Sequence, residues 1–280
     1  MLYEYIRVFN SDNGTLTDES LINQEDGSVL SFAFTAAEDY KYIAKFSPFN
    51  NFFIQIDTAN TDASVMSIDY YDGSNWRAAV DVLDGTSTSG VTLAKSGVVQ
   101  FSPNISYGWQ RVNDTSDNNS PTELQTLNVY DAYWLRIKFS ANPSAGTDVK
   151  KIAYAFTTTQ QLNDLDIKID KFFNTFATGK TDWQNEIMTA SIHVVKDMMS
   201  RGLIREEGQL LRLSDVSLAT DYKTLELICA ALGPNQEKKR EYWRSKYNEV
   251  LSQRVFSIDK DGDGRLDRQE ISGTTGSLVR

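Results

Sequence analysis

Ser64-Val65-Met66-Ser67-Ile68-Asp69-Tyr70-Tyr71-Asp72-Gly73-Ser74-Asn75-Trp76 decides the fold of the first half of the chain. Apolar and aromatic residues recur on a short period up to Tyr71. Asp72-Gly73-Ser74-Asn75 then supplies turn chemistry, and an aromatic residue restarts the next run. Short β-rich runs broken by Gly, Asn and Asp turns indicate antiparallel strands. The same grammar extends outward on both sides. Phe52-Phe53-Ile54-Gln55-Ile56 lies before it, and Gly97-Val98-Val99-Gln100-Phe101 and Tyr133-Trp134-Leu135-Arg136-Ile137-Lys138-Phe139 lie after it. Asp84-Gly85-Thr86 and Asn142-Pro143-Ser144-Ala145-Gly146 punctuate these runs, and residues 113–122 read as a polar, mobile loop. Residues 1–158 are therefore expected to form an antiparallel β-sandwich domain.

The period changes near residue 160. Leu162, Leu165, Ile169, Phe172, Phe173 and Phe176 follow helical spacing. Asp182 is placed to cap a second helix. Trp183, Ile187, Ala190, Val194 and Met198 make one apolar stripe on it, and Met188, Ile192, Val195 and Met199 make another. So wide an apolar face predicts a helix buried between neighbours, with Gly202 at its end. A third helix is expected to open at Ser214 or Asp215 and stop at Gly233-Pro234. A fourth, highly charged helix spans 235–256, with Tyr242, Trp243, Tyr247, Val250 and Leu251 on its apolar side. The fold class is thus α+β in two domains, a β-sandwich followed by a helical bundle over 159–258.

The strongest chemical motif is Asp259-Lys-Asp-Gly-Asp-Gly-Arg-Leu-Asp-Arg-Gln-Glu270. Asp259, Asp261 and Asp263 fall at positions 1, 3 and 5 of an EF-hand-like loop, and Gly264 at position 6 permits the sharp turn. Arg265 offers its backbone carbonyl at position 7, Asp267 sits at position 9, and Glu270 at position 12 closes the shell. A hard dication wants six to eight oxygens, and the expected cofactor is Ca²⁺. Without a cation, this density of carboxylates repels itself. No second loop of this type occurs, and Gly273 ends any exit helix within a turn. The metal is therefore expected to act as a structural staple that aims residues 271–280, a flexible docking tail.

Charge and composition narrow the function classes. The net charge of −10 is uneven: up to residue 159 there are 10 Lys and Arg against 19 Asp and Glu, and from 160 onward 18 against 19. The acidic first half argues against direct binding to a phosphate backbone, and the balanced second half suits solvated helices or subunit contacts. No run of about eighteen apolar residues is present, so no membrane span is expected. The start, Met-Leu-Tyr-Glu-Tyr-Ile-Arg, lacks a basic region followed by an apolar one, so no secretory signal is expected. The single cysteine, Cys229, sits in an apolar helical context and reads as a buried small hydrophobe. The single histidine, His193, lies inside the second helix, with no Gly-x-Ser-x-Gly elbow, Walker loop or dinucleotide fingerprint elsewhere. The chain is expected not to be an enzyme. Tyr70, Tyr71, Trp76, Trp109, Tyr133 and Trp134 read first as sandwich core, with a sugar-binding face as the alternative.

The ordered set Tyr70-Tyr71-Asp72-Gly73-Ser74-Asn75-Trp76, Asp84-Gly85-Thr86, Ser96 to Phe101, Trp109 and Tyr133 to Ile137 resembles β-sandwich modules of tailed-bacteriophage structural proteins. The helical half, with its tyrosine-bearing last helix and trailing tail, is similar to head-to-tail connector (adaptor) proteins of the phage neck. The resemblance implies a virion protein, assembled in the bacterial host cytoplasm. It would self-associate into a ring of about twelve copies, joining the portal protein to tail or stopper proteins, with DNA only passing through the channel and no membrane partner. The chain departs from the simplest connectors by placing the sandwich first and the calcium loop last. Alternatives are a calcium-stabilised carbohydrate-binding module and a phage baseplate or tail component. A cellulosome-type docking module would need two calcium loops.

Overall fold

The computed structural model describes residues 6–24, 27–46, 48–104, 106–116, 120–166, 168–205, 209–210, 213–253 and 256–258. The chain divides into two compact units, Met1–Tyr154 and Ala155–Arg280. It is broadly α+β, with two antiparallel sheets in the first unit and helices in the second.

The strands of the first unit are β1 (Arg7–Asp12), β2 (Thr15–Asp18), β3 (Leu30–Ser31), β4 (Tyr40–Lys45), β5 (Asn51–Thr58) and β6 (Met66–Tyr71). They continue with β7 (Trp76–Ala78), β8 (Val80–Asp84), β9 (Gly97–Ser102), β10 (Val112–Asp114), β11 (Tyr130–Phe139) and β12 (Asp148–Ala153). One sheet runs β2-β1-β4-β11-β6-β7, with β10 pairing β11, and the other runs β3-β12-β5-β9-β8. Within these sheets, β4-β11-β6-β7 and β3-β12-β5-β9 reproduce the strand order of a jelly roll. The β1–β2 hairpin extends one edge and β8 another.

The hairpin read from Asp72-Gly73-Ser74-Asn75 is present. Tyr71 pairs with Trp76, and the Asp72 carboxylate accepts from the backbone N–H of Ser74 (2.9 Å) and of Asn75 (2.7 Å). Gly73 takes φ of +93°, a conformation that disfavours a side chain. Arg77 closes an ion pair onto the same carboxylate, which is held below the usual range. Burial opposes that depression, and the bonds from Arg77, Asn75 and Ser74 overcome it.

Side chains of both sheets meet in an aromatic series. Phe52 and Phe101 of the second sheet lie 6.2 Å apart, and Trp109 stands 6.0 Å from Phe101, 6.2 Å from Tyr70 and 5.6 Å from Tyr133. Ile43, Ile68, Leu135, Ile137, Ile54 and Ile152 are buried. A second cluster, Phe9, Tyr42, Ala44, Tyr71 and Trp134, is completed by Val112, Leu124 and Val129. Part of the expected mobile loop is committed to packing: Thr115 is fully buried and its hydroxyl accepts from Val129 N–H at 3.1 Å, while Leu124, just beyond the loop in a 3-10 turn Thr122–Leu124, is fully buried as well.

The helices of the second unit are α1 (Thr159–Leu165), α2 (Phe173–Phe176), α3 (Gln184–Ser200), α4 (Leu213–Ala231) and α5 (Glu237–Gln253). α4 packs against α1, α3 and α5. The helix expected from Leu162 through Phe176 is interrupted at Asp166. There the Asp166 carboxylate accepts from Lys168 N–H at 3.4 Å, and the Asn163 amide donates to Asp170 at 2.7 Å. Short polar side chains that bond locally compete with the helical ladder. A 3-10 turn, Ile169–Phe172, fills the gap before α2.

Asp182 accepts from Gln184 N–H at 3.0 Å, ahead of α3. Gly202 ends that helix with φ of +69°, while Leu203 N–H reaches Met198 O and Gly202 N–H reaches Met199 O. This is the paired bonding of a Schellman motif. Of the two stripes on α3, Ile187, Ala190, Val194 and Met198 are buried, as is Met188. Ile192 and Val195 are half-buried and Met199 is 44% exposed, so the helix is not enclosed on all sides by the described residues of its own chain.

Candidate functional site

The expected calcium ligands Asp259, Asp261, Asp263, Arg265, Asp267 and Glu270 lie outside the described residues, as does the docking tail 271–280. The approach to them is described. After α5 the chain buries Phe256 and Ile258. Ile258 forms an isolated antiparallel bridge with Leu210, and Ser257 N–H donates to the Asp215 carboxylate at 2.7 Å. Asp215 stands in the first turn of α4, where a carboxylate also complements the helix dipole. Ser257, two residues before Asp259, is thereby tied to the first turn of α4. Among the described residues, no group of three or more His, Cys, Asp or Glu is arranged to hold a metal. The donor set of the loop itself, five carboxylates and one backbone carbonyl at EF-hand spacing, has the hard-oxygen chemistry that Ca²⁺ takes.

The helices beneath this approach are cross-linked by buried polar groups. Glu226 of α4 receives Arg244 Nε at 2.8 Å and Lys223 Nζ at 2.9 Å. Burial raises its pKa, and the two cations more than reverse that effect, leaving the carboxyl below its ordinary value. Tyr247 of α5 donates to Asp197 of α3 at 2.7 Å, and both burial and that carboxylate push the phenol upward. Asp221 of α4 differs. It accepts from the Thr157 hydroxyl at 2.7 Å, yet burial dominates and lifts its pKa to about 6, with Asp164 adding to the rise.

In the β unit, Tyr70, Tyr71 and Trp134 are buried, and Trp109 stands among Phe101, Tyr70 and Tyr133, so these aromatics belong to the cores. Trp76 is half-buried and donates Nε1–H to Glu123 at 2.5 Å. Arg136 lies over the Tyr40 ring at 4.7 Å and the Trp76 ring at 4.8 Å, and it bonds Asp69 at 2.7 Å; Lys138 pairs with the same carboxylate at 2.7 Å. This Arg136–Asp69–Glu123 cluster was not singled out from sequence, although the two-residue period of Trp134, Arg136 and Lys138 places them on one face. Its charges and rings satisfy one another, which suits bracing better than ligand capture. Cys229 is buried and its thiol is pushed up by that burial, while His193 is half-buried on α3.

Among the described residues, no helix is long and apolar enough to cross a membrane. Comparison with protein-family models, curated proteins and solved structures yields no match.

Proposed function

We propose that the chain is a structural subunit of a tailed-phage neck, a head-to-tail connector that assembles as a ring between portal and tail. Its helical half carries the ring contacts, and its acidic loop holds Ca²⁺. The observation that carries this reading is the half-exposed apolar stripe of α3, Ile192, Val195 and Met199, on a helical unit with balanced charge. A helix face of that kind suits subunit contacts, and head-to-tail contacts close into rings. The strand set that resembles phage modules supports it as well, because β6, β7, β9 and β11 all belong to one jelly roll.

In this reading Asp259, Asp261, Asp263, Asp267 and Glu270 supply carboxylate oxygens and Arg265 a carbonyl. The bound ion neutralises their mutual repulsion. The Ser257–Asp215 bond then couples the fixed loop to α4, and the Leu210–Ile258 bridge couples it to the chain ahead of that helix. Electron microscopy of the purified protein tests the function: rings of connector dimensions are expected, and monodisperse monomers at high concentration would defeat the reading. Calorimetry tests the metal. Added Ca²⁺ is expected to raise the melting temperature and chelator to lower it, with the difference abolished in Asp259→Ala/Glu270→Ala.

The jelly-roll order also favours a second reading, a calcium-stabilised carbohydrate-binding module, since lectin domains use this architecture. Fold alone does not assign that activity. Glycan-array binding that is lost in Trp76→Ala would select it.

A further inference from the structure

Strand β12 pairs with β5 along one side, and on the other its pairing with β3 ends at Val149. Ile152 lies beyond that end, buried, with a backbone donor and acceptor that a further strand would take up. Asn23 takes them instead. Ile152 N–H donates to Asn23 Oδ1 at 2.7 Å, and Asn23 Nδ2 donates to Ile152 O at 2.8 Å. A side-chain amide carries a donor and an acceptor much as a peptide group does, so Asn23 stands in for the backbone of the next strand.

The same turn treats the first sheet alike. The pairing of β1 with β2 ends at Phe9, opposite Asp18. One residue further out, Val8 N–H donates to the Ser20 hydroxyl at 3.1 Å, and Glu19 N–H donates to Val8 O at 2.8 Å. The turn is fastened from several directions. Ser20 N–H donates to the Asp18 carboxylate at 2.9 Å, Lys41 Nζ to Glu19 at 2.5 Å, and Asn23 N–H to Glu19 O at 2.9 Å. Ser20 and Asn23 are themselves buried. One turn thus occupies an edge position of each sheet.

We propose that the turn Glu19–Gln24 is a guard, whose Asn23 keeps the β12 edge from pairing with a second copy of this chain. An unpaired edge is a template for another strand. The edge at Ile152 is self-complementary: set antiparallel with Ile152 opposite Ile152, two copies exchange both backbone bonds. That register places Lys151 against Ala153 and Lys150 against Tyr154, so no lysine meets a lysine. The guard lies within the β unit and does not depend on calcium or on ring contacts made by the helices.

Asn23→Ala in the full chain tests the guard, by amide exchange and sedimentation velocity at about 1 µM and about 100 µM. In the dilute variant, Ile152 N–H is expected to exchange about tenfold faster than in the wild type. In the concentrated variant, protection of residues 150–153 is expected to return, together with species larger than any that the wild type forms. Wild-type protection there is expected to be the same at both concentrations. Asn60→Ala serves as the control. It removes another buried amide, bonded to Asp62 O, Ser64 Oγ and Thr92 O in the loop before β6, and is expected to associate as the wild type does. Equal association of Asn23→Ala and wild type overturns the guard, as does exchange at Ile152 that stays fast at the higher concentration. Equal association of Asn23→Ala and Asn60→Ala traces the effect to lost stability and overturns it too. If Asn23→Ala does not fold, Asn23→Asp decides, because it keeps the acceptor for Ile152 N–H and loses the donor to Ile152 O. It is expected to associate more than the wild type, and association equal to the wild type overturns the guard.

Discussion

The β unit and the helical unit each bury an ionised side chain, and they treat it in opposite ways. Lys41 of β4 is fully buried, and its ammonium gives one proton each to Asn10 Oδ1 at 3.1 Å, Glu19 Oε2 at 2.5 Å and Ser31 O at 3.0 Å. Every donor of the ammonium is used, and the ring of Phe32 lies 4.9 Å away. Burial lowers the Lys41 pKa and Glu19 pulls it back up. Asp221, by contrast, accepts from the Thr157 hydroxyl and has a second carboxylate, Asp164, acting on it. A saturated buried charge is a permanent fixture, and an under-satisfied one is an equilibrium with solvent protons.

The largest expected effect breaks the saturated case. Lys41→Met leaves Glu19 without its cation and removes the link from β4 to β3, so a loss of about 3–5 kcal/mol is expected. Denaturant titration followed by tryptophan fluorescence measures it. A loss under about 1 kcal/mol would mean that the buried pair is no fixture.

Asp221→Asn sharpens the other side. The folded-state pKa of about 6 lies above the ordinary 3.8. The stability associated with this group is therefore fully present below pH 3.8, is lost as the pH rises towards 6, and stays lost above it. Removing the titration is expected to stabilise the protein at pH 7.5 by about 2–3 kcal/mol, with little change at pH 4. The difference between wild type and variant is the quantity to follow, because Glu226, depressed below its ordinary value, contributes the opposite slope on acidification.

The smallest effect concerns the exposed margin of the β unit. Trp76→Phe removes the Nε1–H bond to Glu123 while keeping most of the ring beneath Arg136. A cost of about 1 kcal/mol is expected. Double-mutant analysis with Glu123→Gln separates the bond from the packing.

Local signals were legible where local chemistry decides the outcome. Asp72-Gly73 gave its hairpin, and Gly202 and Gly233-Pro234 gave the ends of α3 and α4. Lys41 was opaque for a physical reason. In Tyr40-Lys41-Tyr42-Ile43-Ala44-Lys45, two lysines share a face with Ile43, and that face carries buried contacts. Alternation alone would send lysines to solvent. The jelly-roll order was not readable because the pairs β3–β12 and β4–β11 join segments about a hundred residues apart. Asp221 carries no sequence signal of its own, since its partner Thr157 lies 64 residues earlier in the chain. The carboxylate loop, the plainest motif in the chain, lies beyond Ile258, and its approach over Phe256–Ile258 is the part that the structure adds.

Strand β11 sits between β4 and β6, and β12 sits between β3 and β5. During synthesis, β6 leaves the ribosome well before Phe139, so both inner strands of the first sheet wait for their common neighbour. At about 5–20 residues per second, that delay lasts roughly 3–14 s. Throughout it, β4 and β6 each offer an open edge; the first sheet cannot close until Phe139 has emerged, nor the second until Ala153 has. Vectorial folding is therefore barred for the β unit, and the nascent chain is the state in which mispairing between neighbouring copies is most favoured.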